Sequence, residues 1–247
     1  MPPLVRATNL VKVHGPVGAS APVLRQVSLA VEPGEFACVM GPSGSGKTTL
    51  LHLLSGLDQP TSGTVELAGR DLARASDSER TLLRRRTVGH VFQFFHLLPD
   101  LSVLENVGLP LSIEGHRPEQ RASDLRELLA RVGLAGKESS LPHQLSGGEL
   151  QRTSIARALA GGQPLLLCDE PTGNLSQKAG LEVMELLREV NQRDGRAVLL
   201  VTHNPRDATF ADRVLFLVDG TLDAERALRG PGLKVEDVHA ALSALHI

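Results

Sequence analysis

Tryptophan and tyrosine are absent from this chain, and six phenylalanines are its only aromatic residues among 247. Any core must therefore be assembled from aliphatic side chains, and a hydrophobic content of 41% is enough to build a sizeable one. Only two cysteines occur, Cys38 and Cys168, each inside an apolar run that reads as a buried strand. That argues against a disulfide framework or a thiolate metal site and for small core residues in a reducing compartment. Charge of one sign is lacking too. The 26 Lys and Arg stand against 28 Asp and Glu, a net of -2, so no global basic field points to nucleic acid as a partner. No apolar run approaches the ~18 residues of a membrane span, and Met1-Pro2-Pro3-Leu4-Val5-Arg6 has no signal-peptide core. The expectation is a cytoplasmic chain of one large domain with a subdomain, reaching any membrane through a partner.

Glycine, by contrast, is concentrated where chemistry needs it. Gly41-Pro42-Ser43-Gly44-Ser45-Gly46-Lys47-Thr48 fits G-x-x-x-x-G-K-[ST]. Upstream, Glu35 to Met40 reads as a short buried strand; downstream, Thr48-Thr49-Leu50-Leu51 opens a helix. In that context successive backbone N–H groups turn inward on phosphate oxygens, and the helix N-terminus adds partial positive charge. Lys47 then reaches the β- and γ-phosphates, and the Thr48 hydroxyl is placed to ligate Mg²⁺.

The rest of the chain can be laid out around this loop. Residues 4–13 and 23–32 alternate as two antiparallel strands, with Gly15 to Pro22 as a loop between them. A helix is expected over Asp77 to Arg86, whose Arg84-Arg85-Arg86 end reads as a solvated last turn. Val88 to Gln93 is a strand ending in a glutamine, followed by Phe94-Phe95-His96-Leu97-Leu98-Pro99, strongly apolar for a loop. From Ser102 to about Arg131 the pattern is helical, broken by Pro110 and by Gly115 to Pro118, as expected of a small helical subdomain inserted into an α/β body. Ser146 and Glu149 in Leu145-Ser146-Gly147-Gly148-Glu149 have the form of a capping box. That puts two glycines at a helix N-terminus, either as a second anion site or as plain capping. Leu165 to Glu170 is an apolar strand whose first polar residues are the adjacent carboxylates Asp169 and Glu170, delivered where α/β folds hold ligands. Ala197 to Val201 is another apolar strand and ends at Thr202-His203. Residues 234–246 pattern as a terminal amphipathic helix.

Taken in order, these stretches resemble the ATP-binding subunit of an ABC transporter over roughly residues 4–225. Gly41 to Thr48 matches the phosphate loop, Gln93 the Q-loop glutamine, and Leu145 to Glu149 the signature sequence. Leu165 to Glu170 matches Walker B with its adjoining glutamate, and His203 the switch histidine. The runs Leu51 to Gly63, Phe92 to Pro99 and Glu170 to Leu175 are similar to the lipoprotein-release and macrolide-exporter branch. The resemblance implies an α/β P-loop core with an antiparallel β-subdomain, a helical subdomain over about 100–160, and a tail over 226–247.

It also implies roles. ATP would be bound by His14, by Gly41 to Thr49, and by Ser146, Gly147, Gly148 and Glu149 of a second copy in a head-to-tail dimer. Mg²⁺ would be held by Thr48, Gln93 and Asp169, and hydrolysis would rest on Glu170, His203 and Gln93. The remaining partner would be a separate transmembrane permease, with the chain peripheral on the inner face of the cell membrane and no nucleic acid involved. A second reading is an ATPase of this kind that regulates an extracytoplasmic process through a permease without moving a substrate. Three positions depart from the branch: His14 stands where the adenine-stacking aromatic is usual, Ser176 where a D-loop aspartate is usual, and Leu150 where the signature usually continues with Gln or Arg.

Overall fold

Two hydrophobic patterns, alternating and continuous, sort the strands into two sheets; the computed structural model describes residues 2–15, 21–230 and 232–245. Strands β1 (Val5–Lys12) and β2 (Leu24–Val31) mix buried and exposed positions, as a sheet with one wet face requires. They pair antiparallel with Val5 opposite Val31. The loop expected between them falls largely on residues 16–20, outside the described ones. Strand β3 (Phe36–Met40) is buried at every position and so must be covered on both faces. Helix α1 (Lys47–Leu54) follows it, and β4 (Ser62–Leu67) and β5 (Arg70–Asp71) complete an antiparallel sheet of order β2-β1-β4-β5.

Helix α2 (Asp77–Thr87) starts at a capping box between Ser76 and Glu79 and leads into β6 (Val88–Val91). The helical insert then runs through α3 (Val103–Ile113), α4 (Ala122–Arg131) and α5 (Gly147–Leu159) before β7 (Leu165–Asp169). Pro110 does not break α3, contrary to the expectation from sequence. Proline there deprives only the Asn106 carbonyl of its helical donor, one turn from an end whose last carbonyls lack helical partners anyway. Buried Leu111 holds that final turn in the core.

The chain closes with α6 (Gln177–Asp194), β8 (Ala197–Thr202), the short α7 (Pro205–Ala208), β9 (Arg213–Val218), β10 (Thr221–Arg229) and α8 (Val235–Ala244). The larger sheet has the order β10-β9-β3-β8-β7-β6. The five strands from β9 to β6 are parallel, and β10 folds back antiparallel through the Asp219-Gly220 hairpin. Alternate residues of each strand feed opposite cores. Phe36, Cys38, Met40, Leu166, Cys168 and Leu200 face one core with α3 to α6, while Ala37, Val39, Leu165, Leu167, Leu199 and Val201 face the other with α1 and the small sheet. Both cysteines are buried and free. Helix α8 inserts Val238 into the first core and lies against α7. Among the described residues no helix is long and apolar enough to cross a membrane.

This topology fixes the site. Four parallel strands end side by side, and each carboxyl end delivers one expected functional segment: the glycine loop after β3, Gln93 after β6, Asp169-Glu170 at β7 and His203 after β8. Ligands of open α/β sheets bind at such carboxyl edges, where the strand order departs from the chain order.

Candidate active site

The glycine loop is packed from beneath and open above. A Cβ on Gly41 would sit 2.1 Å from the Leu217 carbonyl oxygen, so this position admits no side chain, whereas a Cβ on Gly44 would meet nothing. Gly46 begins α1 at φ +103°, a conformation L-residues avoid, and no side chain caps the helix. The first-turn N–H groups are therefore left for something else. Lys47 is only 7% exposed. Its ammonium donates to the carbonyls of Gly41 (2.8 Å) and Pro42 (3.0 Å) and stands 3.7 Å from Glu170 Oε1. The Ser45 hydroxyl is buried without a partner among the described residues. A buried cation, an uncapped helix start and an orphaned hydroxyl in one cradle fit an anionic, phosphate-bearing ligand.

The carboxylates face this cradle. Thr48 Oγ1 donates to Asp169 Oδ1 at 3.2 Å. Burial pushes the Asp169 carboxyl above its usual range and the charge of Glu170 pushes it further, against the opposing Thr48 hydrogen bond. The site is thus short of positive charge at a hard-oxygen pair, the chemistry that suits Mg²⁺. Glu170 accepts from Thr202 Oγ1 (3.1 Å) and the His203 backbone N–H (3.3 Å) on Oε2. Its Oε1 lies 2.9 Å from His203 Nδ1. The Glu170 backbone is left-handed at φ +45°, a strained state for a residue with a side chain. His203 is exposed at this edge, between the glycine loop and the acids because β8 lies between β3 and β7.

The other expected residues lie apart from this group. Gln93 faces the turn after Glu170: a Cβ on Gly173 would come within 2.9 Å of its Nε2, and Asn174 Nδ2 donates to its carbonyl at 3.0 Å. His14 is exposed beyond the end of β1. Ser146 caps α5, its Oγ accepting from the Glu149 N–H at 3.4 Å. Glu149 Oε2 accepts from the Ser146 N–H (2.8 Å) and Oγ (2.9 Å), and Oε1 pairs with Lys137 at 3.1 Å. Those contacts hold the Glu149 carboxyl down at about 2. Gly147 and Gly148 approach Leu175, Asn174 and Ala179 rather than the glycine loop of their own chain. Ser176, noted as a departure, is the N-cap of α6 and accepts from the Ala179 N–H.

Sequence reasoning missed several supporting residues. Thr202 bonds Glu170; Gln151 donates to the Phe92 carbonyl at 3.3 Å; Arg157 donates to the carbonyls of Phe95 (2.8 Å) and His96 (2.6 Å). The last two tie α5 to the residues on either side of Gln93. A polar residue at the end of an apolar strand was a usable signal for Thr202; nothing in the pattern marks the pairing of Arg157.

A phosphate cradle after the central strand, an acid pair two strands away and a histidine between them define a nucleotide-hydrolysing α/β fold, here with a helical insert. The chain belongs to the ABC transporter family, whose sequence profile matches residues 24–173. It is 45% identical over 224 residues to the lipoprotein-releasing system ATP-binding protein LolD 2 of Caulobacter vibrioides, covering 91% of this chain and 98% of that one. It is 48% identical over 208 residues to the macrolide export ATP-binding/permease protein MacB of Rhodopseudomonas palustris. That match covers 84% of this chain and 32% of the relative, so the chain spans about a third of that protein's length. A dimeric ATP-binding cassette in a post-hydrolysis state bound to ADP and Pi superposes with a TM-score of 0.83 at 39% identity, over 93% of this chain and 100% of that one. The protein is an ABC ATPase cassette, and the expected combination of P-loop core, antiparallel β-sheet and helical insert is present.

Proposed function

We propose that this cassette hydrolyses ATP as a head-to-tail pair of copies and drives a separate membrane permease, of the kind served by its lipoprotein-releasing and macrolide-export relatives. The observation that carries the chemistry is the convergence of Lys47 and Thr48 with Asp169 and Glu170 at the carboxyl edge of the parallel strands. Thr48 Oγ1 and Asp169 Oδ1 would hold Mg²⁺, which supplies charge neutralisation at the phosphate oxygens. Lys47, already stripped of water, turns its ammonium from neutral carbonyls to the nucleotide's anionic end. Glu170 accepts the proton of the attacking water, and His203 holds Glu170 Oε1 and orients it. Gln93 stands beside Gly173 and senses that turn; its role as a metal ligand requires its amide to swing toward Thr48.

Two further features support the assembly. The capped N-terminus at Ser146 to Gly148 lies apart from the glycine loop of the same chain, so a second copy is needed to bring one onto the other. Phe94 is 66% and Leu98 44% exposed just past Gln93. Such apolar residues on a catalytic turn suit a helix of a membrane subunit laid in a groove, which would place the cassette on the inner face of the membrane. The deciding experiment is Glu170→Gln. The amide is isosteric and cannot take the proton, so hydrolysis should fall by about 10²-fold or more while ATP binding persists. In sedimentation with ATP and Mg²⁺ the variant should accumulate as a dimer. Hydrolysis at the normal rate would remove Glu170 from the mechanism.

A further inference from the structure

Asp207, in the short helix α7, is 5% exposed, yet no Lys or Arg pairs with it among the described residues. Its partners are neutral. The Thr172 hydroxyl donates to Oδ2, and Asn204 Nδ2 donates to Oδ1 at 3.2 Å. Burial pushes its carboxyl up, the Thr172 hydrogen bond opposes that, and the charge of Glu170 adds to it. A carboxylate so placed costs stability unless the arrangement serves something else.

The two donors come from opposite sides of the active site. Thr172 lies two residues past Glu170. Asn204 directly follows His203, and its backbone N–H donates to Thr202 Oγ1 at 3.0 Å. That same hydroxyl donates to Glu170 Oε2. The contacts therefore close a ring from Glu170 through Thr172, Asp207, Asn204 and Thr202 back to Glu170, with His203 carried on the segment between Thr202 and Asn204. Asp207 lies outside both segments and, with its two side-chain oxygens, holds Thr172 of the turn after β7 and Asn204 of the loop after β8 together. Glu170 needs such a ring, because a left-handed glutamate persists only where its surroundings over-determine it.

We propose that Asp207 is a positioning residue for hydrolysis, clamping the Glu170 turn to the His203 loop so that the two side chains keep their productive separation. The proposal rests on Glu170 acting as the base. Its readout is therefore a split between turnover and binding. In the full chain, Asp207→Val should lower kcat by about 10-fold to 100-fold, the scale of a sub-ångström to ångström misplacement, with KM for ATP within about twofold. Asp207→Asn should retain most of kcat, since its oxygen still accepts from Asn204 and its amide can donate to the Thr172 hydroxyl. Thr172→Val should fall between, and the double variant Asp207→Val with Thr172→Val should be no worse than Asp207→Val, because both cut one ring. Should Asp207→Val not fold, Thr172→Val, a near-isosteric change, carries the same test. The proposal is overturned if the valine variants hydrolyse ATP within twofold of the parent, if Asp207→Asn is as impaired as Asp207→Val, or if KM rises in step with the loss of kcat. Glu170→Gln measured alongside separates the two levels. An active Glu170→Gln sinks the assignment of the base, whereas an inactive one beside an active Asp207→Val sinks only the clamp.

Discussion

Replacing Glu149 isolates what the start of α5 contributes. Its carboxylate accepts from the Ser146 N–H and Oγ and pairs with Lys137, while the Ser146 hydroxyl returns the bond to the Glu149 N–H. Glu149→Ala removes the reciprocal half of this box, at about 1 kcal/mol for a cap. It also removes an ion pair that is open to water on the Lys137 side, worth about 0.5 kcal/mol, so the total loss is about 1–2 kcal/mol. Glu149→Gln keeps an acceptor for the Ser146 N–H and loses mainly charge, about 0.5–1 kcal/mol. The pH dependence has a definite sign. The folded carboxyl titrates at about 2, below its ordinary 4.5. Its stabilising contribution is therefore full above pH 4.5 and is lost as pH falls through 2. Urea unfolding of the parent and the glutamine variant should show the widest gap at pH 7 and a narrowing gap from pH 4.5 downward. A gap that stays constant down to pH 2.5, or widens, would show that the charge on Glu149 does not stabilise the cap.

Ser176→Asp should leave the cap of α6 intact, because aspartate caps as well as serine and adds a favourable charge at a helix N-terminus. Its second oxygen is then free for a contact across the dimer, so in a Glu170→Gln background ATP-dependent dimerisation should tighten in sedimentation; equal or weaker association refutes the argument. Arg157→Met should cost about 1–3 kcal/mol of stability for the two charge-assisted bonds to Phe95 and His96. It should also speed chymotryptic cleavage between Phe94 and Leu98, and unchanged cleavage would mean that the turn is held by its own packing.

The parts of this molecule legible in sequence are those that repeat or punctuate. Continuous apolar runs marked β3, β7 and β8 as strands buried on both faces, and the polar residues that ended β7 and β8 marked the site edge. The capping box of Ser146 and Glu149 located the start of α5. What stayed hidden lacks a period. Asp207 looks like any exposed acid after a strand, and only the close approach of the β7 turn to α7 reveals that it is buried. Pro110 misled because the usual rule concerns helix interiors, and its place relative to the end of α3 is set by the packing of Leu111 rather than by local propensity. Ser176 read as the loss of a carboxylate; the fold shows that the position carries a capping duty which serine meets with its one hydroxyl.

Helix α5 ties these observations into one device. Thirteen residues span about 20 Å, with Ser146 to Gly148 at one end and Arg157 near the other. The first end is the one proposed to meet the nucleotide of a second copy. Farther along, Gln151 and Arg157 grip the carbonyls of Phe92, Phe95 and His96, on the turn that carries Gln93 and the exposed Phe94 and Leu98. Helices shift as packed bodies more readily than they bend, and an α-helix sealed by a capping box and buried along one face has little slack. A displacement imposed at Ser146 would have these hydrogen bonds as its route to the Gln93 turn. The Gln93 carbonyl in turn accepts from Asn174 Nδ2, two residues past the Thr172 that holds Asp207. The surface proposed to meet a membrane subunit and the ring that holds Glu170 are thus linked through the Gln93 turn and α5.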